Sequence, residues 1–254
     1  YFIDINVNKY IINTNVNKDV RMTTNRVQPF IAWHALRRLI ADPEQTHEVF
    51  TVIRALSGPA LEKGLARFRQ TEPGQRVLAE KIELLDTLLD QTALSTLPQS
   101  SLGRHYLSFV GREKINADGL VEARAEDGQF NHLQGDLMRF GSRQRDMHDL
   151  WHTLTEYGRD ELGEACLLPF TYAQTKNRGV GVICFAGCLK LRRHYGSGVF
   201  RAAWRAYRAG NKAAWLPGQD WEALLHKPID QVRRKLNIES PVAYQVLRTE
   251  ALTA

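Results

Sequence analysis

Cysteine is scarce in this chain, with 3 residues among 254. Cys166, Cys184 and Cys188 all have apolar neighbours. So few thiols, odd in number, exclude a disulfide scaffold and indicate a reducing compartment. Cys184 and Cys188 are four residues apart, but the sequence has no second cysteine pair to complete a thiolate zinc site. We therefore predict that all three are free thiols inside the protein.

Long apolar runs are also missing. The longest candidate, Val180–Leu189, has about ten residues, whereas a transmembrane helix needs roughly 18. The first residues have neither the basic start nor the hydrophobic block of a secretory signal. They are rich in asparagine, and Met22 could serve as a natural start. We therefore expect residues 1–28 to form an N-terminal extension outside the core.

Acidic residues are outnumbered by basic ones. The sequence has 34 Lys and Arg against 28 Asp and Glu, which gives a formal charge of +6. This modest excess suits nucleic acid or an anionic membrane surface as a partner and does not decide between them. The composition, 43% hydrophobic and 24% charged, is that of a soluble globular protein and excludes global disorder.

Alternating strand patterns, internal repeats and Gly/Ser linkers are absent from the sequence, and helical spacing prevails instead. Leu78, Ile82, Leu85 and Leu89, for example, recur at intervals of three and four, which is the spacing of one helix face. The pattern predicts an all-α, single-domain, multi-helix bundle.

The predicted bundle covers residues 29–236. Its one interruption is a turn-rich stretch, within which residues 120–124 suit a short strand or an extended arm. Pro241 lies beyond the last helical pattern, so we predict a C-terminal tail at 237–254.

Candidate metal ligands lie close together in residues 143–174. Each residue of a helix turns by about 100°, so with His148 at zero, His152 lies near 40° and Asp149 near 100°. Two imidazoles and a carboxylate thus share one side of a helix. Histidines at positions i and i+4 offer two nitrogens to a single ion, although such pairs also occur solvated or satisfied within a core.

A further carboxylate would have to come from beyond this helix. On a continuous helix Glu164 would lie roughly 18 Å from His152, at about 1.5 Å per residue. The residues Gly-Arg-Asp at 158–160 provide a break, and Asp160 can cap a new helix that carries Glu164. Glu156, near 80° on the first helix, is the competing carboxylate by spacing alone. The spacing leaves both carboxylates open.

These residues resemble the metal motif of the coenzyme Q biosynthesis protein 4 family, which here takes the form His148-Asp149-x-x-His152, eleven residues, then Glu164. Three flanking segments are similar to that family as well: 145–147, 158–165 and 173–174. The resemblance extends over about residues 30–235. Four ligand-type residues at a set spacing, with matching flanks, form a specific signal.

The resemblance implies an all-α fold in which His148, Asp149, His152 and Glu164 bind a divalent metal, usually zinc, and carry the chemistry. It implies a metal-dependent carboxy-lyase of the 4-hydroxy-3-methoxy-5-polyprenylbenzoate decarboxylase type. Such an enzyme removes the ring C1 carboxylate of a polyprenylated hydroxybenzoate, with or without hydroxylation of that carbon. The alternative is a non-catalytic, lipid-binding scaffold that organises the enzymes of ubiquinone biosynthesis.

Partners and location are implied in the same way. The expected partners are a polyprenylated quinone precursor, other ubiquinone-biosynthesis enzymes and an anionic membrane surface. The expected place is the cytoplasmic face of the bacterial inner membrane or the matrix face of the mitochondrial inner membrane, with peripheral attachment. The prediction leaves the oligomeric state open between a monomer and a homodimer.

Three residues are candidates for binding the substrate. Arg145 and Arg159 flank the motif and could pair with a substrate carboxylate, or else with neighbouring acids on the protein. Gly187 lies in an apolar, glycine-containing segment where a prenyl chain could approach closely, and we predict an apolar groove there. The alternative for this segment is a central buried helix.

A basic and aromatic helix follows. Arg201, Arg205 and Arg208 share one face, interleaved with aromatic residues such as Trp204. This combination suits an anionic membrane interface, with a plain solvated face as the alternative. No recognised nucleic-acid motif accompanies the arginines, so we predict no nucleic-acid partner.

The His148-Asp149 dipeptide also suggests a phosphohydrolase of the His-Asp type. That class needs an upstream histidine and a distant aspartate in addition. His132 is a candidate for the upstream histidine, but His152 would then have no role.

Overall fold

The computed structural model describes residues 26–42, 45, 47–113 and 133–253. These residues form fifteen α-helices, a 3₁₀ turn at Leu216–Gly218 and an isolated bridge between Ser101 and Pro228, with no strand among them. The predicted all-α, single-domain, multi-helix fold is confirmed. Residues 120–124, residues 1–25 of the predicted extension and His132 lie outside the described residues.

The helices of the described residues are α1 (Pro29–Ala41), α2 (His47–Ser57), α3 (Ala60–Phe68), α4 (Glu72–Glu80), α5 (Leu84–Leu89), α6 (Gln91–Thr96), α7 (Leu102–Arg112), α8 (Gly135–Asp146), α9 (His148–Thr155), α10 (Glu161–Thr175), α11 (Arg178–Tyr195), α12 (Gly198–Lys212), α13 (Trp221–Leu225), α14 (Ile229–Leu236) and α15 (Val242–Thr253).

Side-chain caps determine where the two central helices begin. The Asp160 carboxylate accepts a hydrogen bond from the Gly163 N–H at the start of α10, at 3.0 Å. The Asn177 side chain accepts one from the Gly179 N–H at the start of α11, at 2.9 Å. Each cap satisfies an N–H group that the first helical turn otherwise leaves without a partner. The helix start predicted at Asp160 is confirmed.

Helix α10 lies at the centre of the molecule and packs against α11 and α12. Every residue from 162 to 170 is buried, so the apolar run of the sequence is the core itself. Within that run Glu164 is the one charged residue, and it is only 1% exposed. A carboxylate held this deep needs a charged or hydrogen-bonding partner.

Glycines allow helices to approach each other closely at two places. A Cβ added at Gly179 would clash with the backbone of Ile53 in α2. One added at Gly210 in α12 would lie 2.7 Å from the Phe170 carbonyl oxygen of α10. These small residues therefore serve helix packing. Gly187 is also buried, within α11, and the apolar groove beside it stays a prediction.

The segment predicted to be a C-terminal tail contains α15. Tyr244 in this helix is 2% exposed and belongs to the main apolar core. The helix contacts α10, α11 and α12. Ala243 and Leu247 are half-buried and pack against the same core, so α15 contributes an apolar face to the bundle.

All three cysteines are free thiols, and Cys166 and Cys188 are buried, as predicted. Cys184 is half-buried. Burial raises the pKa of the Cys166 thiol, which keeps it protonated and unreactive at neutral pH.

Candidate metal centre

The chain bends between α9 and α10, and this bend builds the candidate site. Helix α9 ends at Thr155, and Glu156 follows in the left-handed conformation with φ 61°. The new helix begins at Glu161, capped by Asp160. The predicted break between the two helices is therefore present. It returns Glu164, in the first turn of α10, to the histidines of α9.

Three ligand-type side chains converge at the bend: His148, His152 and Glu164. Their ligand atoms all lie within 4.8 Å of one another. The His152 Nε2 lies 3.2 Å from Glu164 Oε1, and the His148 Nε2 lies 3.8 Å from Glu164 Oε2. The two Nε2 atoms are 3.1 Å apart. The three residues thus present two imidazole nitrogens and a carboxylate to one point in space.

Burial and charge act differently on the three groups. Burial opposes the charged form of His152, but the Glu164 carboxylate outweighs it and raises the pKa of His152. Burial alone would raise the pKa of Glu164, but the neighbouring His152 outweighs burial and lowers it. Burial, followed by the neighbouring His152, lowers the pKa of His148. The arrangement therefore favours a charged His152–Glu164 pair beside a neutral His148.

Neighbouring groups fix the orientation of His152. Its Nδ1 donates to the Tyr157 carbonyl oxygen at 3.0 Å, and the Phe109 ring stacks on its imidazole with centroids 5.6 Å apart. Once Nε2 gives up its proton, a histidine whose Nδ1–H is occupied in this way turns its Nε2 lone pair toward a metal. The sequence gave Phe109 only as part of a helix face; the packing of α7 on α9 makes it part of the site.

The three residues could hold a divalent metal ion. Glu164 Oε2 is buried and has no hydrogen-bond partner among the described residues, as expected of an oxygen that ligates a cation. Two imidazoles and one carboxylate are a zinc-type donor set that leaves one position open for water or substrate. The other carboxylate of the motif, Asp149, lies outside the group of three.

Asp149 acts on the group through its charge. It contributes to raising the pKa of His152, where Glu164 has the larger effect, and it works against the lowering of the pKa of His148. Tyr106, on α7, is 1% exposed, and its hydroxyl has no partner among the described residues. Burial and then the Asp149 charge raise the pKa of Tyr106, so the phenol stays neutral. The sequence indicated Tyr106 only as part of a helix face.

The competing carboxylate, Glu156, is held elsewhere. Its Oε1 lies 3.0 Å from the Arg233 guanidinium of α14. Because Glu156 occupies the helix-ending position, its side chain leaves the histidine face of α9. The tertiary structure thus selects Glu164 over Glu156, a choice that the sequence spacing left open.

The two flanking arginines differ in their surroundings. Arg145 donates to the Asp146 carboxylate at 2.9 Å, which is the ion pair that the sequence offered as the alternative to substrate binding. Arg159 lies close enough for its positive charge to contribute to lowering the pKa of His148 and of Glu164, after the larger effects of burial and the neighbouring ionisable groups.

The C-terminal helix α15 braces the bend. The Tyr244 hydroxyl donates to Asp160 Oδ2 at 2.6 Å and accepts from the Gly158 N–H at 3.0 Å. Its ring also packs edge-on against Tyr157, with centroids 5.5 Å apart. Tyr157 supplies the carbonyl that orients His152, and Asp160 caps the helix that carries Glu164. Because Tyr244 contacts residues 157, 158 and 160, it stabilises the segment that positions both His152 and Glu164.

The basic and aromatic face predicted on α12 is exposed. Arg201, Arg205 and Arg208 all reach solvent, and the Trp204 side chain between them is 59% exposed. Nearby on α11, Phe185 is 60% exposed, and its ring packs against Phe200 of α12. Among the described helices none is both long and apolar enough to span a bilayer.

The sequence is similar to those of one known protein family. The sequence model of the family described as "Coenzyme Q (ubiquinone) biosynthesis protein Coq4" matches residues 20–242. The mitochondrial ubiquinone biosynthesis protein COQ4 homolog of Anopheles gambiae is 29% identical over 207 residues, which cover 79% of this chain and 69% of the mosquito protein. The mitochondrial COQ4 homolog of Danio rerio is 29% identical over 202 residues, which cover 77% of this chain and 70% of the fish protein.

A solved structure shares the fold. The crystal structure of a Nostoc punctiforme protein assigned to ubiquinone biosynthesis matches with a TM-score of 0.59 at 18% identity. The match covers 85% of this chain and 100% of the crystallised chain. Taken with the family match over most of the sequence, the chain belongs to the coenzyme Q (ubiquinone) biosynthesis protein Coq4 family and takes part in ubiquinone biosynthesis.

Proposed function

We propose that the chain is a zinc-dependent carboxy-lyase that removes the ring C1 carboxylate of a polyprenylated hydroxybenzoate. The observation that carries the proposal is the convergence of His148, His152 and Glu164, with Glu164 Oε2 buried and without a partner. Family membership points to ubiquinone biosynthesis as the pathway. The set of two imidazoles and a carboxylate supports metal-assisted chemistry within it. A bound zinc ion would act as a Lewis acid that stabilises negative charge developing on the ring as carbon dioxide leaves.

The protein residues divide the work. His148, His152 and Glu164 hold the ion, and the Tyr157 carbonyl keeps Nε2 of His152 directed at it. His148 is 34% exposed, whereas the His152 and Glu164 side chains are 0% and 2% exposed, so substrate reaches the site past His148. Asp149 completes the site from the solvent side, either as a fourth ligand or as a hydrogen-bond acceptor for substrate.

Binding of the substrate falls to residues around this opening. Arg159 would pair with the substrate carboxylate, a role supported by the effect of its charge on both His148 and Glu164. Arg145 can do the same only by giving up its contact with Asp146. The prenyl tail would lie along α11 near Gly187, which is buried, in the predicted apolar groove.

The exposed arginines of α12 define the proposed docking face for the membrane. Arg201, Arg205 and Arg208 would contact anionic headgroups while Trp204 enters the interface. This face would keep the protein peripheral, at the membrane where polyprenylated precursors are made, beside the other ubiquinone-biosynthesis enzymes.

One observation favours a second candidate function. His152 and Glu164 are almost wholly buried, so the ion could serve as a structural clamp between α9 and α10. The chain would then be a lipid-binding scaffold that presents quinone intermediates to other enzymes, and the carboxylates would matter for stability rather than turnover.

Carbon dioxide release separates the two functions. Zinc-loaded protein is given a prenylated hydroxybenzoate, and the variants Asp149→Asn and Glu164→Gln are compared with Glu156→Gln, which removes a nearby carboxylate that faces Arg233. The carboxy-lyase proposal expects release of carbon dioxide, reduced at least about tenfold in the first two variants and unchanged in the third. Absence of turnover in the zinc-loaded wild type, together with normal ubiquinone levels in cells that carry Asp149→Asn, would favour the scaffold.

A further inference from the structure

A second cleft opens at the far end of α10 from the metal centre. It has a volume of about 440 Å³ and lies between α3, the junction of α10 with α11, and the Trp215 side chain. Glu164 is in the first turn of α10 and Thr175 is its last residue, so about 16 Å of helix separates the two sites. The cleft shares no residue with the metal centre.

Four cationic side chains line the cleft: Lys63, Arg67, Lys176 and Arg178. No Asp or Glu of the described chain is part of its lining. Lys176 donates to the neutral amide oxygen of Asn211 at 2.8 Å. Within the described chain the side chains of Lys63 and Arg178 make neither an ion pair nor a hydrogen bond. The local positive charge is therefore left uncompensated.

Two arginines near the cleft are matched by acids. Arg69, just after α3, lies 2.7 Å from the Asp136 carboxylate, and Arg76 of α4 lies 2.9 Å from Asp220. Lys63 and Arg178 of the cleft have no such acid among the described residues. Uncompensated charge in a concave site raises the local concentration of anions.

The walls of the cleft suit a ligand with a flat or apolar body. The Arg67 guanidinium lies over the Trp215 ring, 4.2 Å from its centroid, and Tyr172 also lines the cleft. Stacking holds the guanidinium plane in place and leaves its N–H edge available to oxygen atoms. A volume of this size accommodates a small organic molecule.

We propose that this cleft binds a phosphate monoester or diphosphate of a small organic molecule. The phosphate oxygens would pair with Lys63 and Arg178, and the organic part would lie against Arg67 and Trp215. A phosphate carries two negative charges and three acceptor oxygens, which matches several convergent donors better than a carboxylate does. The same chemistry is offered by a free phosphate ester and by the headgroup of a phosphatidic acid.

The test measures binding to the full chain by calorimetry at low ionic strength. The soluble probes are inorganic pyrophosphate and adenosine monophosphate, and the lipid probe is a vesicle of neutral phospholipid with and without phosphatidic acid. The test variant carries Lys63→Gln and Arg178→Gln. The matched control carries Arg234→Gln and Lys235→Gln, two exposed cations of α14 whose loss changes the net charge equally.

Saturable binding of a soluble probe, weakened at least tenfold in the test variant and less than twofold in the control, supports the proposal with a free phosphate as ligand. The same pattern with phosphatidic acid vesicles alone supports it with a lipid headgroup as ligand. Equal weakening in both variants, or no saturable binding of either probe, overturns it. Zinc content is measured in parallel and should not change, because the metal ligands lie at the other end of α10.

Discussion

The two ends of helix α10 carry opposite arrangements of charge. At its start, Glu164 is buried and lies against His152 and His148. At its end, the cations Lys176 and Arg178 are exposed and face an open cleft without acids among the described residues. A buried charge must be matched by a partner, because removing an unpaired ion from water costs on the order of several kcal/mol. An exposed charge can stay unmatched at little cost.

The comparison shows what each end is suited for. The buried end is rigid and specific, since Tyr157, Phe109 and Tyr244 fix the groups around it. At the exposed end the long cationic side chains can change rotamer, and binding of an anionic partner there would depend on long-range electrostatic attraction. Substitutions at the buried end should therefore cost both stability and metal, whereas substitutions of exposed cations should affect only binding of anionic partners.

The largest effect is expected from His152→Ala. This change should empty the proposed zinc site and leave the buried Glu164 carboxylate with only the more distant His148 beside it, which lowers the free energy of unfolding by about 3 kcal/mol. Zinc content by mass spectrometry should fall from about one ion per chain to none, while circular dichroism still shows a helical protein. The matched control, Glu156→Gln, should keep the metal. Full zinc occupancy in His152→Ala would remove these residues from the site.

The next effect concerns the exposed cations of α12. Replacing Arg201, Arg205 and Arg208 together with Gln should weaken binding to anionic liposomes by up to about two decades, since each basic residue near such a surface contributes roughly 1 kcal/mol. Stability and zinc content should stay unchanged, in contrast to the buried end. Binding that is independent of lipid charge, in a liposome sedimentation assay, would contradict an electrostatic role for this face.

The pH dependence of zinc binding sharpens the comparison further. The Glu164 carboxylate raises the pKa of His152, so the proton on this imidazole competes with zinc over a wider range of pH than an ordinary histidine would allow. Zinc affinity should rise with pH, by about tenfold per unit below the raised pKa, and level off above it. In Glu164→Gln the rise should level off at a lower pH, because the carboxylate that held the proton is gone. If zinc affinity levels off at the same pH in Glu164→Gln and in the wild type, Glu164 does not control the pKa of His152.

The smallest effect is expected from Tyr244→Phe. Loss of the hydroxyl removes the hydrogen bonds to Asp160 and Gly158 and loosens the bend, which should cost about 1 kcal/mol of stability and weaken zinc binding up to about tenfold. Tyr207→Phe removes a hydroxyl far from the bend and serves as the control. Competition with a zinc-binding dye measures the affinity, and equal affinities in the two variants would limit Tyr244 to a purely local contact.

Sequence spacing sufficed to predict much of the buried end. The i, i+4 histidines, the break at 158–160 and the cap at Asp160 are local features, and local geometry determines where their side chains point. The all-α fold followed in the same way from helical periodicity. These predictions succeeded because each depends on residues fewer than about eight positions apart.

Tertiary packing decided the rest. Glu156 was ruled out as the metal-ligand carboxylate because it pairs with Arg233, and these two residues are 77 positions apart in the sequence. Glu164 is the carboxylate that remains. The roles of Phe109 and Tyr106 depend on α7 packing against α9, and the brace from Tyr244 depends on α15 folding back to the bend. Sequence by itself determined the helices between Pro29 and Leu236, the ligand types and their local order, but not α15. Only the tertiary structure decided which distant groups share one buried site, because burial and long-range pairing are properties of the packed chain and not of any one segment.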